Sequence, residues 1–139
     1  MFTFKEFFLE SKIGININDS VQDFTGQILR GEKTIETRDA FSKKPEKASL
    51  HAYVGREIGI IRTGKGKAFL VGKAVIGKPI VYHNREEFDK DYSKHLVSSD
   101  SKFYIKPERN KIGYPLINVV PLKPTQVTTK GIVSRSVDY

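Results

Sequence analysis

Gly31-Glu32-Lys33-Thr34-Ile35-Glu36-Thr37-Arg38 is the most informative stretch of this chain. It follows a segment in which Val21, Phe24, Ile28 and Leu29 recur at helical spacing. Gly31 stands where such a helix can stop in the left-handed conformation, so Lys33 and Thr34 emerge close to the helix end. Beyond it, extended geometry sends alternate side chains to opposite faces. Thr34, Glu36 and Arg38 then share one face, and Ile35 and Thr37 take the other. A core strand has no use for so many polar groups, so the polar face is expected to line a cleft. Lys33 reads either as a cleft lysine that holds a phosphate or polarises a carbonyl, or as a solvated turn lysine that does neither.

The surrounding chain alternates strands and helices. Phe4, Phe7 and Phe8 predict a helical N-terminal extension over residues 1–12. Ile13-Gly14-Ile15-Asn16-Ile17 alternates and reads as the first strand, and Asp19 or Ser20 is the expected cap of the next helix. Residues 39–50 contain Lys43-Lys44-Pro45-Glu46-Lys47 and read as a polar loop. Strands are expected over 56–62 and 68–76, joined by Thr63-Gly64-Lys65-Gly66-Lys67, whose glycines suit a tight hairpin. Asn84 with Glu87 is a capping signal for a helix running to about Leu96. Residues 97–110 show no regular pattern. Leu116 to Leu122 is the last expected strand, with Pro121 and Pro124 marking its end and a tail over 125–139.

Helix-Gly-x-Lys-Thr-x-Glu-x-Arg resembles the signature of ASCH domains, which belong to the PUA-like superfamily. The resemblance runs from residue 13 to about 135. Gly55 to Tyr82 matches the family's central hairpin, and Gly113-Tyr114-Pro115-Leu116-Ile117-Asn118-Val119-Val120-Pro121-Leu122-Lys123-Pro124 matches its closing strand. It implies an α+β fold: one small PUA-like β-barrel of about five or six strands flanked by two or three helices, filling residues 1–139 as a single domain. The first residues also resemble the openings of proteins from T4-like tailed phages, which implies a phage-encoded member. In the similar N4-acetylcytidine amidohydrolases the lysine of this motif is catalytic, so the resemblance makes Lys33 a catalytic candidate. Those enzymes carry threonine three residues later, where this chain has Glu36. Other ASCH proteins carry glutamate there.

Composition narrows the function classes. The chain has 139 residues, a formal net charge of +8 and no cysteine. One core fits this length. Disulfides, thiolate nucleophiles and cysteine-ligated zinc are excluded. The longest apolar runs are far too short for a membrane-spanning helix, and the aromatic N-terminus lacks the form of a signal peptide. A cytoplasmic setting is expected, that of the host if the chain is phage-encoded. Lys43, Lys44, Lys47, Arg56, Arg62, Lys65, Lys67, Lys73 and Lys78 are opposed only by Glu46 and Glu57 within residues 40–80. Such an excess favours a polyanionic partner.

The leading expectation is therefore a module that binds RNA, single-stranded nucleic acid or a nucleotide-like ligand, without cofactor or metal. Lys33, Thr34, Glu36, Arg38 and Tyr114 are the ligand-binding candidates. Lys43, Lys44, Arg62, Lys65 and Lys67 are the candidates for contact with the nucleic-acid backbone. Glu36 and Arg38 can equally be a structural pair that closes the barrel mouth. Tyr53, Tyr82 and Tyr104 are further candidates for stacking on bases, against the plainer reading of core aromatics. An enzyme is the rival: an amidohydrolase or ribonuclease using Lys33 and Glu36, with a second carboxylate from later in the chain, for which Glu86 and Glu87 on the helix after the hairpin lie in roughly the right region without a motif to select either. A phage protein that sequesters a nucleotide signal or blocks a host factor is a further alternative. Gly72-Lys73-Ala74-Val75-Ile76-Gly77-Lys78-Pro79 mimics a P-loop, but Pro79 replaces its Ser or Thr and the segment reads as strand, which excludes an ATPase. His51, His83 and His95 have no metal-ligand spacing and read as surface or capping histidines.

Overall fold

The structure is a computed structural model, and it describes residues 13–40, 50–107 and 109–128, with the backbone of 134–136. Among the described residues seven strands form one curled sheet: β1 (Ile13–Asn18), β2 (Ile35–Ala40), β3 (Glu57–Thr63), β4 (Phe69–Ile76), β5 (Ile80–Tyr82), β6 (Asn110–Gln126) and β7 (Ser134–Ser136). Their spatial order is β2-β6-β4-β3-β1-β7, and β5 joins β6 beside this path. The short helices are α1 (Phe24–Leu29), α2 (Arg85–Lys90) and α3 (Tyr92–His95). The arrangement is an α+β fold with a curled, barrel-like sheet and a few short helices, in line with the small barrel flanked by helices expected from the sequence.

Alternating sequence accounts for the strands. In β1 and β3 the isoleucines at 15, 17, 58 and 60 are buried and pack in one core with Phe24, Ile28, Val71, Ala74, Ile76, Phe88 and Tyr114. The β3–β4 hairpin turns through Gly64 and Gly66, both at positive φ. Helix α1 packs on β4 so closely that a Cβ on Gly72 would lie 2.5 Å from Leu29 Cδ2. This approach sets the distance between the motif and the sheet.

Several boundaries differ from expectation. The cap of α1 is Asp23, whose carboxylate accepts from the Gly26 amide, and not Asp19 or Ser20. Asp19 is buried and instead accepts from both the amide and the hydroxyl of Thr25. Val21 precedes the helix and is exposed, so it does not belong to the buried stripe. Strand β6 starts at Asn110 and runs past Pro121 and Pro124 to Gln126. Its first half pairs with β2 and β5, and its second half pairs with β4 through two register shifts. Those bulges let the prolines sit in a strand they were expected to end. Ser134–Ser136, expected in the tail, pairs with β1. Asn84 caps α2 through the Glu87 amide as read from the sequence, and Gly72 to Ile76 lies within β4. The predicted N-terminal helix and Lys43-Lys44 lie outside the described residues.

Candidate functional site

Gly31 takes φ +78° after the helix, and the amides of Glu32 and Lys33 both donate to the Gln27 carbonyl. This stop turns Lys33 inward. Its side chain is fully buried rather than solvated. The ammonium lies 4.9 Å from the centroid of the Phe24 ring and donates to the carbonyls of Ile35, at 2.8 Å, and of His95. Glu36 Oε1 stands 3.7 Å away. Burial lowers the Lys33 pKa to about 8, and Glu36 opposes that shift.

Glu36 and Arg38 lie two apart on β2 and bond to each other, Nη2 donating to Oε2 at 3.0 Å. The same nitrogen donates to the Asn16 carbonyl on β1, so Arg38 spans from one strand to the other. Arg38 Nε is buried and has no hydrogen-bond partner among the described residues. Glu36 Oε1 also accepts from the Thr37 amide. Opposite Asp39 on β6 is Lys111, nearly buried, whose ammonium donates to the Asp39 carboxylate at 3.0 Å. Burial lowers the Lys111 pKa, with Asp39 opposing.

These groups surround a cavity of about 450 Å³. Asn16, Asn18, Lys33, Glu36, Thr37, Arg38, Asp39, Thr63 and Lys111 make its polar wall, and Phe24, Ala68, Val97 and Phe103 its apolar wall. Three cationic side chains face two anionic ones. A cavity of this size, apolar on one side with convergent polar groups on the other, has the usual form of a small-ligand site.

The cavity thus brings together Lys33, Glu36 and Arg38 among the expected site residues. Thr34 is not among its walls. Its side chain is exposed, while its amide donates to the Lys94 carbonyl and its carbonyl accepts from the Leu116 amide, which fastens the motif to α3 and β6. Tyr114 is fully buried in the core opposite Glu36 in the β2–β6 register and does not line the cavity. The aromatic rings in the wall are Phe24 and Phe103, edge to face at 6.1 Å, and not tyrosines. Tyr82 donates to Asp91 and Tyr104 to Asp89. Lys65 and Lys67 flank Gly66, which lines the cavity, so the exposed hairpin lysines stand at its rim. Arg62 lies over the Phe69 ring. Neither Glu86 nor Glu87 reaches the cavity, and Glu87 is occupied with His83. The second carboxylate present is Asp39, on the motif strand itself. Asp39, Lys111, Asn16 and Phe103 carry no local motif; only the register of β2 on β6 and the curl of the sheet bring them to the site.

Comparison with known proteins follows the same line. No family model and no curated protein sequence matches this chain. Solved structures do match. An ASCH structure from Zymomonas mobilis superposes with a TM-score of 0.61 at 16% identity over 82% of this chain and 72% of that one. A serine-to-alanine variant of the Zymomonas mobilis protein gives 0.66 at 15% identity over 92% and 89%. A tyrosine-to-phenylalanine variant gives 0.68 at 14% identity over 93% and 91%. The chain has the ASCH fold. At such low identity the likeness establishes the architecture alone; of the stretch Gly31 to Arg38, Lys33, Glu36, Thr37 and Arg38 line the cavity. Among the described residues, no helix is long and apolar enough to cross a membrane.

Proposed function

We propose that this protein binds single-stranded RNA, seating one nucleotide in the cavity between β2, α1 and the β3–β4 hairpin. The observation that carries the reading is the half-committed Arg38 guanidinium. Its Nη2 is spent on Asn16 and Glu36, while its buried Nε has no partner among the described residues. Arg38 lines the cavity with 17% of its side chain exposed, and this exposed part can meet an anionic or carbonyl oxygen of a ligand. Phe24 and Phe103 offer aromatic surface to a base, and Lys65 and Lys67 at the rim are suited to neighbouring phosphates.

Lys33 supports binding over covalent catalysis. Two of its three N–H donors are already taken by main-chain carbonyls, and the third faces Glu36. Burial lowers its pKa to about 8 with Glu36 opposing, and its donors are committed to the fold rather than turned to a substrate. Its role in this reading is to hold the cavity's shape and positive charge.

The test is amide chemical-shift mapping with a short single-stranded RNA. Binding in the cavity shifts Thr37, Asp39, Val97 and Phe103 together with the hairpin tip. Shifts confined to exposed lysines would reduce the interaction to surface electrostatics and overturn the proposal.

A further inference from the structure

We propose that His95 is a positioning residue for this cavity: its neutral imidazole fixes the turn whose carbonyl holds the Lys33 ammonium, and protonation of the ring releases both that turn and the bound RNA. The inference rests on the cavity being an RNA site and concerns how that site is regulated.

The hydrogen bonds assign the tautomer. His95 Nε2 lies 2.7 Å from the Phe88 carbonyl, which only accepts, so Nε2 carries the hydrogen. Nδ1 lies 2.9 Å from the Val97 amide nitrogen, which only donates, so Nδ1 presents its lone pair. The ring is fully buried and stacked on Phe88 at 4.0 Å, with the edges of Tyr82 and Tyr92 each 6.1 Å away. An imidazolium would place an N–H at Nδ1 directly against the Val97 N–H, losing one bond and leaving two donors face to face without solvent.

Between the two bonded residues stands Leu96, at φ 59°, a left-handed conformation that a leucine adopts only when its surroundings hold it there. The Val97-to-ring bond spans this residue and holds it. Consecutive groups of the same turn reach the site. The Lys94 carbonyl accepts from Thr34, the His95 carbonyl accepts from Lys33, and Val97 lines the cavity. Loosening the turn therefore moves the apolar wall and removes a partner from Lys33.

The charged groups around the ring are Lys33 from the motif, which opposes protonation, and Asp89 and Asp91 from the helices, which favour it. Lys94 pairs with Asp91, and so does the Tyr82 hydroxyl. Burial outweighs the carboxylates and holds His95 below the ordinary histidine range. A depressed folded-state value means that the neutral, cavity-holding form is complete above ~6.5 and is lost as pH falls through the depressed value. Surface electrostatics predict the opposite trend, because acidification makes a basic chain more positive and strengthens its attraction to a polyanion. The sign of the pH effect thus separates the two.

The experiment measures anisotropy of a fluorescein-labelled, mixed-sequence single-stranded RNA at constant ionic strength, from about pH 8 to about pH 5. The full chain is compared with His95→Asn, whose Oδ1 keeps an acceptor toward Val97 and does not titrate. Wild-type affinity is expected to fall about tenfold at the acid end, the equivalent of one buried hydrogen bond, while His95→Asn stays flat or tightens. Wild-type affinity that holds or rises on acidification overturns the proposal, as does a parallel fall in His95→Asn. If no RNA binds at any pH, the RNA reading has failed, and the His95 inference is decided by nuclear magnetic resonance of the wild type alone. There the Lys33 Cε signal must shift together with protonation of His95 Nδ1. A ring that titrates while Lys33 stays unchanged overturns it.

Discussion

The Lys33 ammonium donates to the main-chain carbonyl of His95, a residue 62 positions further along the chain. This contact makes the motif lysine a keystone between β2 and the end of α3. It also explains why a side chain at a helix stop is withdrawn from water, since its ammonium is held by two main-chain carbonyls.

Removing Lys33 should therefore cost stability. Lys33→Ala leaves the carbonyls of Ile35 and His95 buried without this donor, and the expected loss is roughly 2–4 kcal/mol. Lys33→Met, which keeps the packing against Phe24 and removes a desolvated charge, should lose less. Phe24→Ala should cost about 3–5 kcal/mol, because Phe24 is buried beneath Lys33 and against Phe103. Thermal melts of the three variants check this. A Lys33→Ala protein as stable as wild type would mean that the lysine is solvated.

Burial also sets how Lys33 titrates. Its Cε resonance should move with a midpoint near 8, well below the 10.5 of an ordinary lysine. The unfolded chain then holds more protons between those two values, so the Lys33 contribution to stability rises with pH from about 8 to 10.5 and is lost again as pH falls. Titration together with the exposed lysines would contradict this environment.

Much of the frame was legible in the sequence, because it follows local rules. Alternating isoleucines pointed to β1, the glycines of residues 63–67 to the β3–β4 hairpin, Asn84 capped its helix, and Gly31 stopped α1 at positive φ. Glu36 and Arg38 were legible as a pair because residues two apart share a strand face. What stayed hidden depends on long-range packing. Lys33 looks like a turn residue until α3 folds over it. Nothing local in the sequence tells that Asp39 meets Lys111, that Phe103 leaves an irregular segment to line a cavity, or that His95 is buried with both nitrogens bonded. Pro121 misled because a bulged strand accommodates it, and Tyr114 because an aromatic beside a polar motif can equally face the core.

The hairpin lysines make a separate prediction. Lys65→Glu with Lys67→Glu should weaken RNA binding with little sequence preference and should flatten the dependence on salt, since fewer counterions are released. Titrations at low and moderate salt decide it. An unchanged slope would remove the hairpin tip from the interface.

No release of cytidine from N4-acetylcytidine is expected at micromolar enzyme. The Lys33 ammonium is tied to two main-chain carbonyls, and Glu36 stands where the amidohydrolase pattern has threonine. Product measured by chromatography, with Lys33→Ala as control, tests this. Lys33-dependent product would place the chain among the enzymes.

The most direct test of the RNA-binding account is the affinity of Arg38→Met for single-stranded RNA, with the rim lysines intact. Methionine keeps an unbranched apolar stem and removes the buried guanidinium that faces the cavity, together with its link to Asn16. The account predicts at least a roughly tenfold loss of affinity, the equivalent of one charge-assisted hydrogen bond, in a protein whose amide spectrum remains that of a folded chain. A folded Arg38→Met protein that binds RNA as tightly as wild type would contradict it.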